Sequence, residues 1–412
     1  MKSGLKILTA LTFPLLFLSK TVWAEEKMRG QLDEILCHDG TTVLTKITTD
    51  NYITIEGFSR NSKVELPSHK VKDVLRADRP REYDIGLMQI RRGRYAAAAK
   101  CFSSVLRSAD HRNKPWVIEY CNYRMGEAVY KGGLWEPPGK TTRNRFSPPE
   151  DYYAKMLKAN PRSRYMLNAI TRIPLCLTEQ EKFEEARKAI MVAESAIKKY
   201  REETAEIGYR TSADKAEARL KMANAQLLED KRDFEKAKEQ YLVVQRMASK
   251  KYRHIHSYAL EGELRCLMKQ YKLADAKARA ESLIEKCKES GDPALADVLP
   301  CAIAAVARGS LVEAGGFEAK NDKAQAQQSY ANARRYYQKL LTSFRNRVEF
   351  TEEAIYFVGL CFYKLRDKEP DAMDMAIRYF RQVQRVFPNG ALAKQAALDL
   401  KSLPGLETNS DF

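Results

Sequence analysis

Short runs with a two-residue hydrophobic period occupy the first part of the chain after its N-terminal segment. In residues 42–47 and 52–55, β-branched and aliphatic residues alternate with polar ones, a pattern typical of half-buried strands. Asp39-Gly40 lies between two apolar runs and is a strong hairpin-turn signal. Four or five short strands in so few residues predict a small barrel or a strongly bent sheet over 29–78. Binding and capping of the following helices are both open as its role.

From Arg79 onward the apolar residues recur at helical spacing, and an internal repeat predicts helix pairs over 79–402. Each unit has a large residue, two spacers, Ala, three spacers and a second large residue. The units are Tyr95-Ala98-Phe102, Phe183-Ala186-Ile190, Phe234-Ala237-Tyr241, Tyr271-Ala274-Ala278, Tyr330-Ala333-Tyr337 and Met373-Ala376-Phe380. Apolar-Gly pairs precede several of them, at Gly86, Gly126 and Gly359. Small Ala or Gly lets two antiparallel helices approach closely, while the large residues fill the space beside them.

These residues resemble the tetratricopeptide repeat, which has Gly, Tyr, Ala, aromatic and Pro positions in the same order. Successive repeat alanines are 37 to 88 residues apart, so the spacing is irregular, and the longest interval is expected to hold an extra repeat over 116–159. The resemblance implies an all-α helix-turn-helix solenoid of six or seven pairs behind the β module. The final unit, over 387–400, is similar to the last repeats of bacterial cell-envelope proteins.

The resemblance also implies a function, which is non-catalytic binding of a protein or peptide. In that family the first helices of successive pairs line a concave groove. Matching the repeat spacing before Ala237 and Ala274 places four residues near such a groove: Arg219, Gln226, His256 and Glu263.

The N-terminal segment predicts export. Lys2 and Lys6 precede an apolar run over 7–18 that is too short and too interrupted to span a bilayer comfortably. Residues 1–24 are therefore expected to be a signal peptide, which indicates a periplasmic or cell-envelope protein. No later run is expected to span a membrane, because the most apolar one, 294–312, carries Asp297 and Arg308. Residues 131–147 are expected to form an inserted loop, and residues 403–412 a flexible tail.

The eight cysteines are scattered, without Cys-x-x-Cys or metal-ligand spacing. Several lie within helical apolar patterns, as Cys101 and Cys361 do, so buried free thiols are favoured. A bridge between Cys287 and Cys301 is the remaining alternative.

No catalytic or cofactor motif is present in the sequence. The segment Gly133-Leu-Trp-Glu-Pro-Pro-Gly139-Lys140-Thr141 differs from a phosphate-binding loop in its spacing and in its two prolines, which lack N–H donors. His254 and His256, two residues apart on a helix, face different sides and do not form a metal pair. We therefore expect no enzymatic activity, no metal and no cofactor.

Positive charge is concentrated in one part of the 412-residue chain, whose net charge is +17. Residues 79–168 contain 18 basic and 8 acidic residues. The candidate basic patch consists of Arg91, Arg92, Arg94, Arg143, Arg145, Arg162 and Arg164. For an exported protein this favours an anionic envelope polymer or surface over nucleic acid as an alternative partner. A solvated face without a ligand explains the charge equally well.

Overall fold

The computed structural model describes residues 32–59, 62–134, 146–204, 207–248, 251–345 and 347–403. The expected signal peptide, most of the inserted loop and nearly all of the expected tail lie outside these residues. The chain divides into two compact units, Met1–Ala223 and Asn224–Phe412.

The β module is one five-stranded antiparallel sheet in the order β4-β3-β2-β1-β5. Its strands are β1 (Asp33–Cys37), β2 (Thr42–Asp50), β3 (Thr54–Ser59), β4 (Ser62–Pro67) and β5 (Val71–Leu75). The sheet ends on β4 and β5 and does not close, so the module is an open sheet and the barrel alternative is wrong. Gly40 makes the first hairpin turn with φ +88°, a region that favours glycine.

The rest of the described chain contains fifteen α-helices, and most neighbours along the chain are joined by short turns. The first unit begins with α1 (Arg81–Arg91), α2 (Tyr95–Arg107), α3 (Pro115–Gly132), α4 (Pro149–Ala159), α5 (Met166–Glu179) and α6 (Phe183–Glu203). The unit boundary falls within α7 (Ile207–Asp230). The second unit continues with α8 (Phe234–Ala248), α9 (Arg253–Lys269), α10 (Leu273–Ser290), α11 (Pro293–Ala319), α12 (Lys323–Ser343), α13 (Thr351–Lys364), α14 (Ala372–Val386) and α15 (Ala391–Ser402). The predicted class, helix-turn-helix repeats behind a small β module, is confirmed, and α3 and α4 occupy the long interval.

Glycine allows the close approach of the paired helices. A Cβ added to Gly86 would lie 2.7 Å from the ring of Phe102, and one added to Gly126 would lie 2.6 Å from the ring of Tyr153. At Gly359 the nearest ring atoms, of Phe380, would be 3.1 Å away. The glycines of the apolar-Gly pairs therefore leave the space into which the aromatic rings pack, as predicted.

One repeat was predicted in the wrong register. Tyr271 is 86% exposed and Ala274 is also exposed, whereas Ala276 and Ala280 are fully buried. The reason is the turn before α10, where Tyr271 adopts the left-handed conformation with φ +58° and cannot begin the helix. Leu273, two residues later, occupies the first large position. The same left-handed residue two positions before a helix recurs at Gly93, Glu181, Arg232 and Asn321.

The β module packs on the helices of the first unit. Ile35 and Val74 of the sheet share one buried cluster with Tyr83 and Tyr120. The amide of Tyr52 donates a 2.8 Å hydrogen bond to the carbonyl of Arg162, beyond α4. This contact supports the capping role.

Two helices that begin with a proline differ in their N-caps. Asp292 caps α11, since its carboxylate accepts a 2.8 Å hydrogen bond from the amide of Ala294. At α4 the N-cap residue is Pro148, and no side chain caps the helix.

All eight cysteines lie in the described residues and are free, so the alternative of a Cys287–Cys301 bridge is not formed in this structure. Six are buried, and Cys101 and Cys287 are partly exposed. Burial raises the pKa of Cys121, Cys301 and Cys361 to about 12.

Among the described residues, α11 is the one helix long and apolar enough to cross a membrane by length and composition. Of its most apolar window, 61% is buried inside the protein. Its Asp297 pairs with Arg253 at 2.9 Å, and its Arg308 pairs with Glu353. This degree of burial is typical of a helix that belongs to the core of the second unit.

Candidate functional site

The second unit contains an apolar groove of about 460 Å³, lined by α11, α13 and α15 together with residues of α10 and α12. Its apolar lining residues are Leu273, Leu311, Val312, Phe357 and Leu392. Val312 is 55% exposed, although it belongs to a helix that is otherwise largely buried. The helices α11, α13 and α15 are the first helices of successive pairs. The packing of the repeats therefore brings the residues that line this groove together.

An ionic triad of Arg308, Glu353 and Tyr337 forms the polar part of the groove lining. Arg308 Nε lies 2.6 Å from Glu353 Oε1, and Tyr337 donates a 2.9 Å hydrogen bond to the same oxygen. The hydrogen bond to Glu353 raises the pKa of Arg308, so the guanidinium stays charged. The charged groups neutralise one another, and the remaining lining can accept an apolar side chain.

The same Tyr–Glu–Arg arrangement recurs at other tyrosines of the described helix pairs. Tyr241 donates to Glu229, which also binds Arg265. In the first unit Tyr153 donates to Glu127, which lies near Arg172. This recurring feature was not predicted from the sequence, although the three tyrosines are large residues of the repeat units or the interposed pair. The sequence feature that could have indicated it is a Glu on the helix next to each tyrosine.

A second recess of about 460 Å³ lies along α9 and α11 in the second unit. Glu261 and Asp297 line it, and both are paired, with Arg347 at 3.1 Å and Arg253 at 2.9 Å. Tyr258 provides an aromatic wall that is 36% exposed.

The four predicted groove residues do not line the apolar groove. Glu263 is 8% exposed, and its carboxylate accepts hydrogen bonds from Arg279 at 3.0 Å and from Gln245 at 2.9 Å. His256 Nδ1 lies 3.2 Å from the carbonyl of Gln245, so this face of α9 turns toward α8. The Glu263 carboxylate therefore joins α9 to α8 and α10.

The other two predicted groove residues lie on α7. Arg219 belongs to the first unit and donates a 2.6 Å hydrogen bond to the amide oxygen of Asn168. Gln226 is half-buried and belongs to the second unit. The residues of α9 that line a recess are instead His254, Ser257, Tyr258 and Glu261, because the recess-facing side of the helix is offset from the predicted one.

The predicted basic patch is reduced by the structure. Arg91, Arg92 and Arg94 are exposed at the end of α1, around the turn at Gly93. They form no ion pair with any carboxylate that the structure describes. Arg143 and Arg145 lie outside the described residues.

The last two arginines of the predicted patch are neutralised. Arg162 Nη2 lies 3.0 Å from a carboxylate oxygen of Glu203. Arg164 has a side chain only 5% exposed and lies 3.0 Å from Asp73, which also binds Arg124. Arg164 therefore joins the helices to the β module and contributes no surface charge, contrary to the prediction.

The described residues contain no group of three or more His, Cys, Asp or Glu side chains that could hold a metal ion. His254 lines the charged recess, whereas His256 faces the carbonyl of Gln245.

Comparison with known proteins adds little to the geometry. No family model matches the chain, and no curated protein matches it. Among solved structures, the crystal structure of the P58(IPK) TPR domain aligns at 13% sequence identity, covering 78% of this chain and 96% of that one, with a TM-score of 0.22. The assignment to helix-pair repeats accordingly rests on the helices, turns and glycine contacts described above.

Proposed function

We propose that the chain is a non-catalytic scaffold that binds an extended protein segment in the apolar groove of its second unit. The observation that carries the proposal is the apolar lining, in which the exposed Val312 and the half-buried Leu311 and Phe357 lie together around a groove of about 460 Å³. Exposed apolar clusters of this kind mark interaction sites. Apolar side chains of a bound segment would cover them.

The chemistry of the groove supports binding over catalysis. Its titratable groups, Arg308, Glu353 and Tyr337, are joined to one another. A reaction would need an acid, base or nucleophile directed at a substrate. The tetratricopeptide-like repeat pattern of the sequence favours the same protein-binding role.

The proposed location is the bacterial cell envelope. It rests on the sequence pattern of residues 1–24, with Lys2 and Lys6 before an apolar run. Fractionation of cells and sequencing of the mature N-terminus test it. Recovery of the full-length chain from the cytoplasm would contradict it.

Substitution of Val312 tests the groove. Because Val312 is already 55% exposed, Val312→Glu should fold normally while placing a charge in the apolar lining. Leu398→Glu is the matched control, since Leu398 is 60% exposed and lies on α15 outside the groove lining. We expect partner capture from envelope extracts to fall with Val312→Glu and to persist with Leu398→Glu. Equal capture by both variants would reject the groove.

A second candidate is binding of an anionic envelope polymer by Arg91, Arg92 and Arg94, which are exposed and lack a described ion-pair partner. Replacing all three with Gln should abolish sedimentation with the polymer, and salt should weaken wild-type binding steeply. The control replaces three exposed cations of α6: Arg187, Lys188 and Lys198. Loss of binding in the control as well would show that binding depends on the net charge of the protein and not on these three arginines.

A further inference from the structure

A separate cavity of about 320 Å³ lies in the first unit, between the β module and the helices α5, α6 and α7. The 3-10 turn Ser68–Lys70 and strand β5 form one side, and α7 forms another. None of its lining residues belongs to the apolar groove or to the exposed arginines around Gly93. It is a distinct feature of the fold.

Positive charge dominates the lining of this cavity. Its basic and imidazole side chains are His38, His69, Lys72, Arg164, Lys215 and Arg219. No Asp or Glu is among its lining residues. Ser68 and Ser212 add hydroxyl groups, and Tyr52 and Tyr200 add aromatic surface.

Two cations of the lining, both on α7, have no ion-pair partner among the described residues. Arg164 is already paired with Asp73, but Lys215 and Arg219 form no ion pair with a carboxylate in the described part of the chain. They lie one turn apart on α7. Lys215 is exposed overall, and partial burial, and next the positive charge of Arg219, lowers its pKa. Burial, and next the charge of Arg172, lowers the pKa of Arg219. A bound anion would relieve both effects.

We propose that this cavity binds a phosphate group, carried either by a soluble molecule or by a lipid headgroup. A phosphate dianion matches two adjacent cations and hydroxyl donors better than a single carboxylate does, and guanidinium suits its oxygens. Lys215, Arg219 and Lys72 supply the charge. Since one water occupies about 30 Å³ of liquid, the cavity volume suits a group the size of a phosphate with a small organic body. The proposal does not depend on the protein-binding function.

Binding of inorganic phosphate to the full chain, measured by equilibrium dialysis at constant ionic strength, tests the proposal. The test variant is Lys215→Gln/Arg219→Gln, and the control Lys158→Gln/Lys188→Gln removes two exposed cations elsewhere in the same unit. We expect saturable binding to wild type and control, and at least tenfold weaker binding to the test variant. Unsaturable binding to wild type, or equal affinity in the test variant, would overturn the proposal. Circular dichroism and thermal unfolding confirm that both variants are folded.

Vesicles of phosphatidylglycerol distinguish the source of the phosphate. A soluble source predicts that the protein stays in the supernatant while still binding inorganic phosphate. A headgroup source predicts co-sedimentation that free phosphate competes away and that Lys215→Gln/Arg219→Gln abolishes. Co-sedimentation that persists in this variant, together with unchanged phosphate affinity, would assign the binding to another surface.

Discussion

The hydroxyl of Tyr241 donates a 2.7 Å hydrogen bond to the carboxylate of Glu229. Glu229 is 4% exposed and also accepts hydrogen bonds from Arg265 and Lys269 at 2.9 to 3.0 Å. Tyr241 in turn packs against Gly262. A single repeat aromatic thus joins the glycine contact to the ionic triad, and both features hold the helices in register.

Removal of the Glu229 carboxylate should be strongly destabilising. Glu229→Ala leaves the half-buried Arg265 guanidinium and the buried Tyr241 hydroxyl without their shared partner, and the loss of such an ion pair costs at most about 3–5 kcal/mol. Glu239→Ala on the neighbouring helix α8 is the control, because Glu239 is exposed, and it should change the unfolding free energy by less than about 0.5 kcal/mol. Urea unfolding measures both. Equal unfolding free energies would refute a stabilising role of the triad.

The contacts of two helical glycines predict that the same substitution, Gly to Ala, changes stability in opposite directions. Gly126→Ala places a Cβ 2.6 Å from the ring of Tyr153, and overpacking of this kind costs about 1–3 kcal/mol. At Gly315 no atom beyond the adjoining residues and backbone of its own helix lies within 4 Å of an added Cβ, so Gly315→Ala should stabilise by about 0.5–1 kcal/mol. Thermal unfolding compares the two. Stabilisation by Gly126→Ala would contradict the packing described.

Acid should weaken the fold through its paired carboxylates. Burial alone would raise the pKa values of Glu229, Glu127 and Asp73, but neighbouring arginines outweigh it and lower all three below their ordinary values of 4.5 for Glu and 3.8 for Asp. A pKa lowered by folding contributes stability above the unfolded value, and this stability is lost as pH falls through the folded one. The unfolding free energy should therefore decline below about pH 4.5.

The variant Glu229→Gln isolates one contribution to this decline. It cannot titrate, so its unfolding free energy should fall less steeply with acidification than that of the wild type. Denaturant unfolding between neutral pH and about pH 3 gives both slopes. Identical slopes would show that Glu229 has the same pKa in the folded and unfolded chain.

Thiol accessibility should divide the cysteines into two groups. Cys101 and Cys287 are partly exposed, whereas the other six are buried. Alkylation of the native protein should modify at most these two, and alkylation after unfolding should modify all eight. The variant Cys101→Ser/Cys287→Ser should resist native alkylation. Mass spectrometry counts the adducts, and rapid native modification of Cys121 would contradict its burial.

Local patterns were sufficient to predict the strands, the helix pairs and the glycines against which aromatic rings pack. Their determinants lie close together in the sequence, as in the Asp39-Gly40 turn and the repeat Phe234-Ala237-Tyr241. The register error at Tyr271 arose because an aromatic residue in a left-handed turn looks like the first large residue of a helix. Its conformation depends on the turn and not on residue type.

The candidate site was harder to predict, because its chemistry depends on distant partners. Arg164 looked like surface charge, but it is neutralised by Asp73, 91 residues earlier in the chain. From the sequence Glu263 was a candidate partner-binding residue, whereas in the structure Arg279 and Gln245 bind its carboxylate. Hydrophobic periodicity predicts which face of a helix is buried and does not reveal which charges meet there.

Photo-crosslinking in intact cells tests the central claim, that the groove of the second unit binds a protein segment, most directly. A photoreactive residue at position 312 lies in the groove lining, and one at position 398 lies outside it. We expect a discrete protein adduct, identifiable by mass spectrometry, from position 312 and none from position 398. Absence of an adduct at 312, or the same adducts from both positions, would contradict the proposed binding site.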